Sequence, residues 1–130
     1  MSDSGKSKHV LIIDRQPSWR DRAAAALSDK GYMVQVLDSY DYQSDVVNFS
    51  AGSLDLVILG CSRIKHEERE LINKVLADHR HLVVLCSSLP WGDMRSLFLA
   101  GADDVVDDKP YDATRLVSIV EGAFASLTEK

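Results

Sequence analysis

Several things are scarce in this chain of 130 residues, and each scarcity excludes a class of function. It has two cysteines, Cys61 and Cys86, without the paired spacing of a zinc framework. Two thiols without a disulfide pattern fit a reducing compartment. No apolar run approaches the roughly 20 residues needed to cross a bilayer. Met1 to Lys8 is polar and lacks the apolar core of a signal peptide. Basic residues are outnumbered: 15 Lys and Arg face 20 Asp and Glu, for a net charge of −5. That balance argues against generic binding to nucleic acid or to an anionic membrane. There is no G-x-G-x-x-G, no P-loop, no internal repeat and no linker. The expectation is a cytoplasmic protein with a disordered arm over residues 1–8 and a single domain over 9–128.

Apolar residues make up 45% of the sequence, enough for a real core. Val10-Leu11-Ile12-Ile13 is apolar on both faces and ends at Asp14, which predicts a strand buried on both sides of a sheet. Pro17 then suits the first turn of a helix running to Lys30, closed by Gly31. Further strands are predicted at Met33–Leu37, Leu54–Leu59 (stopping at Gly60), Leu82–Cys86 and Val105–Val106. Helices are predicted at Ser39–Ser50 (the weakest pattern), Glu67–Asp78 and Trp91–Ala100. A last helix is capped by Asp112 and carries an apolar stripe of Leu116, Ile119, Val120, Ala123, Phe124 and Leu127. Loops are expected at Ala51–Ser53, Cys61–His66 and Ser87–Pro90. Buried strands alternating five times with amphipathic helices predict an α/β fold, a doubly wound (βα)5 with a five-stranded parallel sheet. Asp14 ends a central strand, where open α/β sheets place their chemistry.

The order of elements, with three local motifs, resembles the receiver (CheY-like) domain of two-component response regulators from about Lys8 to Leu127. The motifs are Ile12-Ile13-Asp14-Arg15-Gln16-Pro17, Asp55-Leu56-Val57-Ile58-Leu59-Gly60, and Gly101-Ala102-Asp103-Asp104-Val105-Val106 followed by Lys109-Pro110. The resemblance implies a flavodoxin-like sheet of order 2-1-3-4-5 with its site at the ends of strands 1, 3 and 5. It implies a signalling module of a phosphorelay and not an enzyme.

At that site the sequence departs from the family pattern. Receivers hold Mg²⁺ with two adjacent acids after the first strand; here they are Asp14 and Arg15. The phosphoacceptor position is Gly60. The Thr or Ser after the fourth strand is Cys86, with Ser87 one step on. The aromatic of the fifth strand is Val105 or Val106. Asp107-Asp108 is one residue longer than usual before Lys109, which implies a bulge or register shift there. Aspartyl phosphorylation needs a carboxylate nucleophile, a hard cation and a cationic clamp, and Mg²⁺ takes one or two carboxylates. Glycine offers no nucleophile, and Asp55 lies roughly 16 Å back along its strand at about 3.3 Å per residue. The expectation is therefore a pseudo-receiver with no cofactor, Mg²⁺ binding lost, and a degenerate pocket of Asp14, Arg15, Gly60, Cys86, Ser87, Lys109 and Pro110.

Within that pocket two readings of the charges stand. Asp14 and Lys109 form a residual structural ion pair, or Arg15 and Lys109 beside Gly60 form an anion pocket. Two readings of the cysteines stand as well: small buried hydrophobes, or a redox pair on neighbouring strands. Leu97, Phe98 and Leu99 are consecutive, and three consecutive apolar residues cannot all face one core. The resemblance places pairing between receivers on the fourth helix, fifth strand and fifth helix. That face comprises Trp91, Met94, Phe98, Leu99, Val105 and Val106, and takes a signalling partner from the same pathway or a second copy. Trp91 is also expected to report on a filled pocket. The alternatives are a phosphorelay receiver with a non-standard phosphoacceptor, and a small-anion or redox-sensing domain on the same fold.

Overall fold

The computed structural model describes residues 8–40, 42, 54–109 and 112–128. Five strands form one parallel sheet: β1 (His9–Ile13), β2 (Met33–Leu37), β3 (Leu54–Cys61), β4 (Leu82–Cys86) and β5 (Asp104–Val106). Their order is β2-β1-β3-β4-β5. The described helices are α1 (Pro17–Asp29), α2 (His66–Ala77), α3 (Trp91–Ala100) and α4 (Ala113–Thr128). None of them is long and apolar enough to cross a membrane.

The strand residues alternate between two cores. Val10 and Ile12 join Leu56, Ile58, Val83 and Leu85 beneath α1 and α4. Leu11 and Ile13 join Leu59, Val84, Leu71, Ile72, Val75 and Leu97 on the side of α2 and α3. Both faces of β1, β3 and β4 are therefore dry, which is why their sequences are apolar without alternation. β2 is an edge strand and leaves Met33 and Val36 exposed. On α1, Trp19, Ala23 and Leu27 recur every four residues and are all buried. Gly31, at φ +95°, ends that helix in the left-handed region that favours glycine.

The Gly-Ala-Asp-Asp turn has a physical job. Gly101 closes α3 at φ +119°, and Ala102 packs into the core. Asp103 then clamps the turn to the start of β4. Its Oδ2 accepts the Leu82 N–H at 2.8 Å, and its own N–H donates to the Leu82 carbonyl at 2.8 Å. At the last helix, Asp112 Oδ1 accepts the Thr114 N–H at 3.0 Å, a capping contact.

Some expectations are corrected. β3 does not stop at Gly60 but runs through Cys61, because Gly60 and Cys61 still pair with Leu85 and Cys86 of β4. Glycine has lost only its side chain there, not its ladder. No register shift precedes Lys109: β4 and β5 pair evenly from Val83–Asp104 to Leu85–Val106, and the extra residue is absorbed in a bend at 107–108. The sheet's irregularity lies instead between His9 and Val10, opposite β3. Apart from Lys8, the arm expected over 1–8 lies outside the described residues. So do the loop at 51–53, Pro110, and the helix expected over 39–50 except for Ser39, Tyr40 and Tyr42.

Candidate functional site at the carboxyl edge of the sheet

β1, β3 and the segment after β5 converge at one end of the sheet. Asp14 follows β1 directly, and Lys109 follows β5 by three residues. Their charged atoms lie 2.8 Å apart, between Asp14 Oδ2 and Lys109 Nζ, and the two residues are only 2% and 3% exposed. Asp14 Oδ1 accepts the Gln16 N–H at 2.8 Å, which folds the chain into α1. Lys109 Nζ also donates to Gln16 Oε1 at 3.0 Å and lies 4.9 Å from the centre of the Trp19 ring. Trp19 thus covers the ammonium with its face, a cation–π contact in a desolvated setting. Two charges buried this deeply would be costly alone, and each is held by the other.

Gly60 lies opposite this pair. A Cβ placed on it would stand 2.2 Å from Asp14 Oδ2 and 3.1 Å from Trp19 Cζ3. The space a side chain at position 60 would need is occupied by the Asp14 carboxylate and the Trp19 ring. Glycine is the residue this packing accepts.

Arg15 turns the other way. It holds Glu67 of α2 through two hydrogen bonds at 3.3 and 3.2 Å and lies 3.9 Å over the Tyr40 ring. The hydrogen bond to Glu67 raises the guanidinium pKa and holds the Glu67 carboxyl below its usual range. Tyr40, half-buried, has its phenol pushed up first by burial and then by the neighbouring charge of Glu68. Glu68 is itself buried and accepts the Lys65 N–H at 2.8 Å, the return half of a capping box at the start of α2.

These groups line a cleft of about 560 Å³: Asp14, Arg15, Gln16, Tyr40, Cys61, Ser62, Arg63, Lys65, Glu67, Glu68 and Lys109. Arg15 and Lys109 are not joined around one point. Lys109 is committed to Asp14 and Gln16, and Arg15 to Glu67 and Tyr40. Among the described residues no group of three or more His, Cys, Asp or Glu could hold a metal ion. The donor set nearest the expected Mg²⁺ position is one carboxylate already paired to an ammonium, a poor match for a hard dication.

Cys86 is buried at the end of β4, in register with Cys61, and both thiols are free. Burial, then the neighbouring Cys86, pushes the Cys61 thiol well above its ordinary value. Ser87 is exposed and does not line the cleft; its N–H donates to the Cys61 carbonyl at 3.2 Å. On the expected interaction face, Trp91, Phe98 and Leu99 are 72%, 45% and 76% exposed, and Met94 and Val106 are partly exposed. Val105 is corrected: it is 6% exposed and packs inward with Leu97 and Ala102, because the even register of β5 turns it to the α2–α3 core.

Several site residues went unnoticed in the sequence, among them Gln16, Trp19, Tyr40, Glu67 and Glu68. Gln16 and Trp19 lie two and five residues after Asp14, and a helix opening at Pro17 brings its first inward turn over the strand end. Tyr40 and Glu68 carried no local signal, since only the tertiary fold brings them to Cys61. Trp19, not the exposed Trp91, is the indole at the site.

No protein-family model matches the sequence, and no curated protein does. Solved structures do match. A CheY-like response regulator receiver domain from Methanospirillum hungatei JF-1 shares 20% identity over 96% of this chain and all of its own, with a TM-score of 0.74. An orphan response regulator of H. pylori shares 24% identity over 90% of this chain and 96% of its own, with a TM-score of 0.73. The response regulator TrrA from Thermotoga maritima, solved in complex with Mg²⁺ and BeF, shares 22% identity over 89% of this chain and 98% of its own, with a TM-score of 0.65. The fold is that of a receiver domain. The sheet order and the placement of the cleft at the carboxyl edge follow from it.

Proposed function

We propose that this chain is a degenerate receiver, a pseudo-receiver that works in bacterial two-component signalling as a phosphorylation-independent protein-interaction module. The observation that carries the reading is at position 60. The residue that would accept a phosphoryl group is a glycine, and Asp14 Oδ2 stands 2.2 Å from where its Cβ would be. The buried Asp14–Lys109 pair then fills with protein charges the space where a receiver would hold a cation and a phosphoryl group. Output falls to a surface, and the exposed apolar residues of α3, with Val106 beside them, supply one for a signalling partner or a second copy of the chain.

The test is acetyl phosphate with Mg²⁺, read by intact mass. No gain of a phosphoryl group is expected. A gain stable in acid, mapping to Ser62 or Ser87, would instead favour a relay receiver with a non-standard acceptor. Beryllofluoride gives a second readout through tryptophan fluorescence. Trp19 lies against the pair, so any ligand that parts Asp14 from Lys109 changes its emission. No saturable change is expected.

A further inference from the structure

Cys61 and Cys86 are residue partners on adjacent parallel strands, at the carboxyl ends of β3 and β4. Neighbouring strands lie about 4.8 Å apart, inside the roughly 4.4–6.8 Å range of Cα separations that a disulfide spans. Both side chains lie on the same face of the sheet, in the core beneath α2 and α3. The two residues are direct register partners and both thiols are free, and Cys86 Sγ donates to the Ser88 carbonyl at 3.8 Å. Of the two cysteines, Cys61 also lines the cleft, which gives a small oxidant a route to it.

We propose that Cys61 and Cys86 form a dithiol switch that a hydroperoxide closes to a disulfide in the floor of the cleft. The Cys61 thiolate attacks one peroxide oxygen, the S–O bond forms as the O–O bond breaks, Cys61 becomes a sulfenic acid, and the departing hydroxide takes up the thiol's proton as the first water. The Cys86 sulfur then displaces hydroxide from the Cys61 sulfur, which departs as the second water. Two thiols lose two electrons and two protons, and one hydrogen peroxide is reduced to two waters. Burial disfavours the thiolate at Cys61, so the pair closes under sustained oxidation and not in a brief pulse. Closure draws in the chain at Cys61, directly after Gly60, and so changes the packing of Asp14 and Trp19 against it. The switch does not depend on whether the cleft takes phosphate, and its test does not involve phosphate.

The experiment is prolonged incubation of the native chain with hydrogen peroxide, then denaturation, alkylation and intact-mass measurement. The expected product is a monomer two hydrogens lighter with no alkylatable thiol, restored by dithiothreitol, and with a shifted Trp19 emission. Peptide mapping should show a Cys61–Cys86 link. Cys61→Ser should keep its Cys86 thiol alkylatable, whereas Cys86→Ser should hold Cys61 as an unresolved sulfenic or sulfinic acid, and both should lose the fluorescence shift. If either variant fails to fold, the peptide map of the unaltered chain decides. In the unaltered chain, two thiols still alkylatable, sulfinic products without a link, or covalent dimers would each overturn the proposal.

Discussion

At the scale of the residue, the site turns on a carboxylate and an ammonium taken out of water together. Removing one partner of such a pair strands the other, at a cost of about 3–5 kcal/mol. Asp14→Ala should therefore destabilise the fold strongly, whereas Asp14→Ala combined with Lys109→Met should cost less than the two single changes summed. Urea denaturation of the four proteins measures the coupling, on the order of 1–3 kcal/mol; strict additivity would mean that the 2.8 Å contact carries no energy. Gly60→Ala should lower stability by about 1–3 kcal/mol, as overpacking does, because its methyl group would meet Asp14 Oδ2. An unchanged denaturation midpoint would show that Asp14 moves aside freely. Asp14 was legible in the sequence because it follows a strand that the hydrophobic pattern locates, and Gly60 and Lys109 because the resemblance to receivers marks their positions. Trp19 and Glu68 were not, because which buried side chain covers a charge depends on packing between elements.

At the scale of the element, periodicity located most boundaries. β2 and β4 have the predicted ends, and α3 spans the predicted residues. β3 was read two residues short because a glycine was taken as a stop, whereas backbone pairing is indifferent to the missing side chain. α3 also divides its own consecutive apolar residues: Leu97 is 3% exposed and Leu99 76%. Leu97→Ala should cost about 2–5 kcal/mol, as core truncations do, while Leu99→Ala should stay within about 0.5 kcal/mol. Thermal or urea unfolding separates the two. A large loss at Leu99 would mean that its exposed side chain is covered in solution, and cross-linking would then identify by what.

At the scale of the whole molecule, the receiver fold is retained in a chain no more than 24% identical to the structures compared with it. The sheet order and buried strands are those of the receiver fold, and at the carboxyl edge this chain sets a buried Asp14–Lys109 pair beside Gly60. A bound ion at 100 times its Kd would add about 2.7 kcal/mol and raise the Tm by several degrees. Millimolar Mg²⁺ should instead move the Tm by less than about 1 °C in differential scanning calorimetry; a rise that saturates with Mg²⁺ would return a metal to the cleft. The sheet order carries a consequence for biosynthesis. β1 is translated first yet lies between β2 and β3, so its second neighbour is complete only once residue 61 has been made. Between residues 37 and 61, at about 5–20 residues per second, the Val10–Ile13 segment waits roughly 1–5 s with one side unpaired. During that interval the nascent chain presents its most apolar strand to whatever meets it at the ribosome exit, and chaperone capture should concentrate there.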